Sequence, residues 1–285
     1  MTTRFPQHTL HELARLLALR TRQSVLSALA GDVLSRQFGT GLDFAELRDY
    51  RPGDDARHIH WPSAARRLVP AVRQFQEENR PNDVIALDVS ASMNTDDATW
   101  TLTAETASML AAISLSCASG TTLLRFTDHA ERPVTIPSGP EALELAARLI
   151  LEPPPPHAGT AITSVLTGLS NTLHKPVRLF IVSDLLGPLD GLGTILRRLA
   201  AVHDVTVCQI CHDPARELPA DGDVRDAETR AVIHSSPAFA QETAHRWADF
   251  LDSSHALVLG TGARYIRFDT DNPPVLTFKK ALAAL

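Results

Sequence analysis

The sequence predicts an α/β protein in which helices cover both faces of a mostly parallel central sheet. Three short apolar runs, 84–87, 177–182 and 205–210, have the continuous hydrophobicity of strands that are buried on both faces. Segments with a helical spacing of apolar residues separate these runs. Strands that alternate with helices along a chain are typical of a parallel sheet, because parallel strands need a crossover between them.

The other elements are predicted from the same patterns. Leu10, Leu13 and Leu17 recur at spacings near three and four and predict a helix over 8–30. Further helices are predicted at 98–118, 141–151, 162–173, 189–200 and 239–251. Further strands are predicted at 123–126 and 134–136, in a hairpin within 224–233, and at 256–259.

Changes in composition divide the chain into three predicted parts. Residues 1–31 form an N-terminal helix, and residues 32–82 form a small β-rich segment with one helical turn at 63–68. Residues 83–285 form the α/β domain with a C-terminal extension. Four consecutive prolines at 153–156 predict a stiff connector inside this domain.

Composition and charge exclude several classes of protein. The 285 residues include 27 basic and 33 acidic side chains, and the net charge of −6 argues against a nucleic-acid-binding protein. Three cysteines are too few for a disulfide framework and favour a reducing compartment. The most apolar stretch, 109–117, is too short to span a membrane, and residues 1–30 lack the apolar core of a signal peptide. We therefore expect a cytoplasmic protein without a membrane span.

Short oxygen-bearing side chains stand where the predicted strands end. Asp88, Ser90 and Ser92 follow the first buried strand, Asp184 follows the second, and Thr160 opens a helix after the proline run. Ligands of open α/β sheets bind beyond the carboxyl ends of the strands. Carboxylate and hydroxyl oxygens suit a hard divalent cation such as Mg²⁺. The sequence therefore predicts a metal site in which two aspartates leave a position for a carboxylate from a partner.

The same residue types also have a simpler role. Serine, threonine and aspartate are the usual N-cap residues of helices, so any one of these side chains could cap a helix instead of binding a metal. The spacing favours the metal, because Asp88-x-Ser90-x-Ser92 brings three oxygens to a single turn. Thr160 and Asp184 support a metal site through their order and their elements more than through their identity alone.

The order Asp88-x-Ser90-x-Ser92, Thr160, Asp184 resembles the metal-ion-dependent adhesion site of von Willebrand factor A-like domains. The resemblance implies a Rossmann-like sheet of the von Willebrand factor A type, flanked by helices, over about 83–259. It implies Mg²⁺ or Mn²⁺ at the top of the sheet, held by these five residues. It also implies a partner protein that supplies an acidic residue to the metal.

A second resemblance lies mostly ahead of this domain. Residues 38–55 are dense in glycine, arginine and aspartate, and Trp61 follows them. Residues 39–93 resemble the signature of the bacterial domain-of-unknown-function family 58, which is found fused to a von Willebrand factor A-like domain. His60 departs from that signature, which has an acidic residue before the tryptophan. The resemblance implies an adaptor that acts beside AAA+ ATPases of the MoxR type in the assembly or maturation of other proteins.

Charged residues of the β-rich segment are candidates for bidentate ion pairs. Such pairs would either brace the segment or contact a partner protein, and the sequence leaves both roles open. The candidates are Arg48, Asp54, Asp55, Arg57 and Arg66.

Three functions are compatible with these patterns. The leading hypothesis is a non-enzymatic adaptor whose metal recognises an acidic residue on a partner. One alternative is a magnesium-dependent phosphatase or hydrolase with Asp88 as nucleophile, although Ser90 stands where haloacid-dehalogenase-like enzymes need a second acid. The other is a structural scaffold with an empty metal site. We expect no enzymatic activity, because the sequence contains neither a phosphate loop nor a nucleophile elbow.

Overall fold

The structure is a computed structural model that describes most of the chain from Asp83 onward and parts of the segment before it. The described residues are 15, 18, 19, 21, 44–49, 71–75, 83–117, 120–153, 158–211, 218–219, 221–225 and 231–283. The chain divides by its contacts into two compact units: Ser35–Arg80 is one, and Met1–Leu34 together with Pro81–Leu285 is the other. The three parts predicted from composition stay a prediction.

In the smaller unit, the described residues form a two-stranded antiparallel sheet. β1 (Phe44–Asp49) pairs with β2 (Ala71–Phe75), and the register shifts between Phe44 and Glu46. Arg48 of the charged cluster lies opposite Val72 in this ladder. The remaining cluster residues, Asp54, Asp55, Arg57 and Arg66, lie outside the described residues, as do His60 and the helical turn predicted at 63–68.

The described residues of the larger unit form eight further strands: β3 (Asp83–Asp88), β4 (Gly120–Phe126), β5 (Val134–Pro137), β6 (Arg178–Ser183), β7 (Asp204–Cys211), β8 (Gly222–Arg225), β9 (Val232–Ser235) and β10 (Arg264–Asp269). Six of them make one sheet with the order β10-β7-β6-β3-β4-β5. Five of these six run parallel, and β5 pairs with β4 in the antiparallel sense at one edge. A separate antiparallel hairpin, β8 with β9, follows β7 along the chain.

Helices cover both faces of this sheet, so the predicted fold class is confirmed. The helices are α1 (Asp97–Cys117), α2 (Ala142–Ile150), α3 (Ile162–Thr172), α4 (Leu192–Ala200), α5 (Pro237–Leu259) and α6 (Pro274–Ala283). Alternate strand residues such as Val84 and Ala86 share one core cluster with α3, α4 and the end of α5. The buried helix α1 packs on the sheet and also contacts α2 and α6.

One predicted strand is wrong. Residues 256–259 form the last turn of α5, which begins at Pro237 after the N-cap Ser236 and runs for 23 residues. The apolar run has a helical pattern of burial, because Val258 is fully buried while Leu259 is exposed. A run of four apolar residues fits the end of a helix as well as a strand. The sheet is instead completed by β10, and α6 follows it, so the domain extends beyond the 83–259 limit that the resemblance implied.

Other predictions for this unit fall partly on residues that are not described. Within the helix predicted at 8–30, Arg15, Ala18, Leu19 and Thr21 are helical, and the rest lies outside the described residues. Residues 154–157, which include most of the proline connector, also lie outside the described residues. In the described part of the chain, every helix is too short or too polar to serve as a membrane span.

Ion pairs line the edge of the sheet where the parallel strands begin. Arg178, the first residue of β6, donates two hydrogen bonds to Asp83, the first residue of β3, at 2.9 and 2.5 Å. Asp83 is almost fully buried, whereas Arg264 and Asp204 form an exposed ion pair at the starts of β10 and β7. A buried carboxylate depends on its partner far more than an exposed one does.

We expect Arg178→Gln to lower the free energy of unfolding by about 3 kcal/mol, because it leaves the charge of Asp83 buried without its guanidinium partner. The matched variant Arg264→Gln breaks the exposed pair and should lower the same quantity by less than about 1 kcal/mol. Urea denaturation of both variants measures the difference. Equal losses would contradict this view of the amino edge.

A buried histidine at the same edge makes stability depend on pH. His203 lies directly before β7. Its Nδ1 is buried and forms no hydrogen bond with any residue that the structure describes. Burial lowers the pKa of His203 below its ordinary value of 6.5. The folded protein therefore binds this proton less readily than the unfolded chain, so the stabilisation is complete above pH 6.5 and is lost as the pH falls below that value.

We expect His203→Gln to reduce the loss of unfolding free energy on acidification, because the substituted side chain does not titrate. Denaturant titrations of both proteins at pH 7.5 and pH 5.0, roughly one unit or more on either side of the ordinary histidine pKa, provide the measurement. If both proteins lose the same free energy between these values, His203 has no role in the acid response.

Candidate functional site

The candidate site lies where three loops meet at the carboxyl edge of the sheet. The first loop follows Asp88, the last residue of β3, and contains Ser90 and a short 3₁₀ turn at Ser92–Asn94. The second follows β6 and contains Asp184. The third leads into α3 and contains Thr160. β3 and β6 are neighbours in the sheet, so their parallel pairing brings the first two loops side by side.

Asp88 is fully buried and anchors the first loop. Its Oδ1 accepts a hydrogen bond of 2.9 Å from the backbone N–H of Ser90, and its Oδ2 accepts one of 2.7 Å from the hydroxyl of Ser183. The hydroxyl oxygens of Ser90 and Ser92 lie 3.1 Å apart and share a hydrogen bond. The loop therefore gathers one carboxylate and two hydroxyls, as the Asp-x-Ser-x-Ser spacing predicts.

Asp184 is also fully buried, and its backbone and side chain are both engaged. Its N–H donates to Sδ of Met93 at 3.2 Å, and its Oδ1 accepts from the N–H of Leu186 at 2.8 Å. Its backbone carbonyl accepts a hydrogen bond of 2.9 Å from the side chain of Gln209. The contact with Met93 ties this loop to the first loop, since Met93 lies in the turn after Ser92.

The third loop lies beside the other two. The N–H of Ala91 donates to the carbonyl of Ala158 at 2.9 Å, which links the first and third loops. A Cβ added at Gly187 would lie 3.5 Å from Cβ of Thr160, so the second loop passes close to the third. The three loops are thus neighbours, and Thr160 is nearly buried.

The backbone after Asp184 is strained. Leu185 has a φ of 61°, a left-handed conformation that costs a residue other than glycine roughly 1–2 kcal/mol. Its N–H donates to the hydroxyl of Ser183 at 3.0 Å, and its side chain is buried in the core. Ser183 therefore holds both the strained residue and the carboxylate of Asp88. Strain of this kind persists only where surrounding contacts over-determine the local shape.

The sequence analysis missed Ser183, Leu185 and Gln209. Nothing in the sequence marks Leu185 as left-handed, because glycine is the residue expected in that conformation. A signal does exist for Gln209, which interrupts the apolar run 205–210 and is fully buried in β7. A polar residue in a buried strand needs a hydrogen-bond partner, and here that partner is the Asp184 loop.

The donor set fits a hard divalent cation. The three loops carry two buried carboxylates, from Asp88 and Asp184, and the buried hydroxyls of Ser90, Ser92 and Thr160. Oxygen atoms of this kind are preferred by Mg²⁺ and Mn²⁺, whereas zinc sites use histidine and cysteine. In the described part of the chain, no three histidine, cysteine, aspartate or glutamate side chains group as a metal cluster. Binding at this edge would therefore depend on the hydroxyls as well as on the two aspartates.

The Cys208-x-x-Cys211 pair belongs to the core. Both thiols are free and buried in β7, as the apolar run predicts. Burial raises the pKa of Cys208 and raises that of Cys211 to about 12. Because the reactive form of cysteine is the thiolate, these two residues are chemically inert in the folded protein.

Comparison with known proteins gives a family match. A family described as "Protein of unknown function DUF58" matches residues 46–244 of the chain. The uncharacterized proteins Rv1480 of Mycobacterium tuberculosis and Mb1516 of Mycobacterium bovis are each 30% identical to this chain over 268 residues. The aligned region covers 90% of this chain and 84% of either relative.

Three solved structures match this chain at low sequence identity and low TM-score. An aerotolerance-related membrane protein of Bacteroides fragilis, solved with multiple mutations to serines, is 17% identical with a TM-score of 0.44 and covers 72% of this chain and 100% of its own. BatB of Bacteroides thetaiotaomicron is 15% identical with a TM-score of 0.41, covering 72% and 98%. A von Willebrand factor type A protein of Catenulispora acidiphila is 15% identical with a TM-score of 0.35, covering 62% and 43%.

Ser183→Ala is expected to lower the free energy of unfolding by about 1–3 kcal/mol, because it removes a donor from the buried carboxylate of Asp88 and an acceptor from Leu185. Ser254→Ala is the matched control, since the hydroxyl of Ser254 is also buried but makes no hydrogen bond to any described residue. Its removal should leave stability nearly unchanged. Chemical denaturation that shows the same effect for both serines would refute the role of Ser183.

Proposed function

We propose that this chain, which belongs to the DUF58 family, is a binding module that holds a divalent cation at the carboxyl edge of its sheet and uses it to recognise a carboxylate on a partner protein. The observation that supports the proposal most is the proximity of the three loops. They bring Asp88, Asp184 and Thr160, which lie far apart in the sequence, to one edge of the sheet.

The residues of this edge would divide the work of binding. Asp88 and Asp184 would balance the two positive charges of the ion, and Ser90, Ser92 and Thr160 would offer neutral oxygens, directly or through water. When bound, the ion would supply a positive coordination position for an oxygen of the partner. Two carboxylates neutralise a divalent ion without surplus negative charge, so an incoming carboxylate is not repelled by the site as a whole.

The geometry favours binding over catalysis. A nucleophilic carboxylate has to reach its substrate, but Asp88 is fully buried and both of its oxygens accept hydrogen bonds. Ser90 occupies the position at which a dehalogenase-like enzyme would need a second acid, and it faces Ser92. These contacts support a binding module over the phosphatase alternative. The scaffold alternative differs from both, because it requires no metal affinity at all.

For the partner, we propose an AAA+ ATPase of the MoxR type or a client that such an ATPase remodels. The support for this part is the resemblance of residues 39–93 to the family signature. The chain itself has no phosphate loop, so any ATP hydrolysis would come from the partner. A location in the cytoplasm is part of the same proposal.

Isothermal titration calorimetry with Mg²⁺ and Mn²⁺ tests the metal site. We expect one ion per chain, and we expect Asp184→Asn to weaken its binding by about tenfold or more, because one of two charged ligands becomes neutral. Asp190→Asn removes an exposed carboxylate six residues later, at the far end of the same loop and just before α4, and should bind as the wild type does. Thermal denaturation of the metal-free proteins checks that both variants fold.

Two results would contradict the proposal. If the wild type binds neither ion, the scaffold alternative is favoured. If Asp184→Asn binds as tightly as Asp190→Asn, the ion lies elsewhere.

Where binding is found, capture of a MoxR-type ATPase by the wild type should be lost in EDTA and in Asp88→Ala. Capture that persists under both conditions would separate the partner from the metal.

A further inference from the structure

A buried polar pair connects the edge strand β10 to the Asp184 loop. Gln209 is fully buried in β7, between Ser183 of β6 and Arg267 of β10 in the sheet register. Its Nε2 donates to the backbone carbonyl of Asp184 at 2.9 Å. Its Oε1 accepts a hydrogen bond of 2.6 Å from the hydroxyl of Tyr265 in β10. The two bonds link Tyr265 in β10, through Gln209 in β7, to Asp184, the residue that follows β6. We call this pair of side chains the relay.

Tyr265 is held in place from its other side. It is half-buried, packs against the core, and lies with its ring centroid 4.8 Å from that of His255 in α5. Burial raises the pKa of Tyr265, so the phenol stays protonated and keeps its donor at neutral pH. The hydroxyl can therefore orient the amide of Gln209, which fixes the direction in which Nε2 points.

The relay acts on the most strained part of the site. Leu185 follows Asp184 directly and keeps a left-handed φ of 61°. Three hydrogen bonds hold this shape. The N–H of Leu185 donates to the hydroxyl of Ser183, and the N–H of Asp184 donates to Sδ of Met93. The carbonyl of Asp184 accepts from the side chain of Gln209. Both the carbonyl and the N–H of the peptide group that joins Asp184 to Leu185 are therefore hydrogen-bonded. Loss of the hydrogen bond to the carbonyl would let that peptide group rotate and would move the carboxylate of Asp184.

We infer that Gln209 and Tyr265 are positioning residues that hold the Asp184 carboxylate in the geometry the metal and its partner require. The inference rests on the proposed function, because it assigns these residues to the same site. An apolar residue at 209 would pack equally well in β7, but it would leave two polar groups, the carbonyl of Asp184 and the hydroxyl of Tyr265, without this partner.

Tyr265→Phe is the decisive variant, because it removes one hydroxyl and keeps the ring. Thr261→Val is the matched control: it also removes a hydroxyl that donates a 2.6 Å hydrogen bond, to Val258, but it does so in the turn between α5 and β10 and takes no part in the two bonds of Gln209. Gln209→Leu extends the test by removing both bonds of the relay. Thermal denaturation of each protein records how much stability the substitution changes.

Two measurements on the full chain separate the relay from the metal. In the metal-free protein, hydrogen exchange at the amides of Leu185 and Leu186 should accelerate about fivefold in Tyr265→Phe, as expected for one lost hydrogen bond, and should not change in Thr261→Val. In calorimetry with Mn²⁺, Tyr265→Phe should bind about tenfold more weakly than Thr261→Val, the scale on which outer hydrogen bonds affect metal affinity.

The outcomes are distinguishable. Unchanged exchange in Tyr265→Phe and in Gln209→Leu overturns the relay, whatever the metal does. Faster exchange with unchanged Mn²⁺ affinity also overturns it, because the loop would then move without affecting the ligand. A wild type that binds no Mn²⁺ overturns the proposed function and with it the assignment of these residues to a metal site. Faster exchange together with weaker binding supports the inference.

Discussion

The structure depends on the burial of two carboxylates at adjacent strand ends. Asp88 and Asp184 are both fully buried, and a buried carboxylate is tolerated only where its charge is compensated. Here backbone amides and a serine hydroxyl supply hydrogen bonds to the two side chains. Much of the local architecture serves this need: the turn after β3, the strained residue after Asp184 and the polar residue inside β7. We propose that a cation completes the compensation.

The two edges of the sheet treat buried charge differently. At the amino edge, Asp83 is paired with the guanidinium of Arg178, a charge partner from the neighbouring strand. At the carboxyl edge, Asp88 accepts hydrogen bonds from a hydroxyl and an amide, which orient its carboxylate. The first arrangement stabilises the fold. The second keeps the carboxylate oriented and is the kind of arrangement that a functional site requires.

Much of this could be predicted from local sequence. The apolar runs that became β3, β6 and β7 are continuous because both faces of the strands are covered, so they were visible without the structure. Asp88, Ser90 and Ser92 were visible for a similar reason, since their spacing within a single turn places their oxygens together. Residues 256–259 misled the prediction because a short apolar run has no period long enough to separate helix from strand.

The rest could not be predicted, because it depends on how distant segments pair. The relay through Gln209 exists only because β10 lies beside β7 and β7 beside β6, an order that the sequence does not state. Nothing in the sequence around Tyr265 marks it as a site residue. Its proposed role follows from the register of β10, in which Tyr265 lies opposite Val207. Leu185 gave no signal either. The residues that we propose to bind the ion could be named from the sequence, whereas those that contact the Asp184 loop required the structure.

We propose that the three loops surround one divalent cation. Anomalous diffraction from crystals soaked in Mn²⁺ locates such an ion, because manganese scatters anomalously and its position needs no assumption about ligands. We expect a single strong peak between Asp88, Thr160 and Asp184. The absence of a peak there, or a peak bounded by other residues, would contradict it.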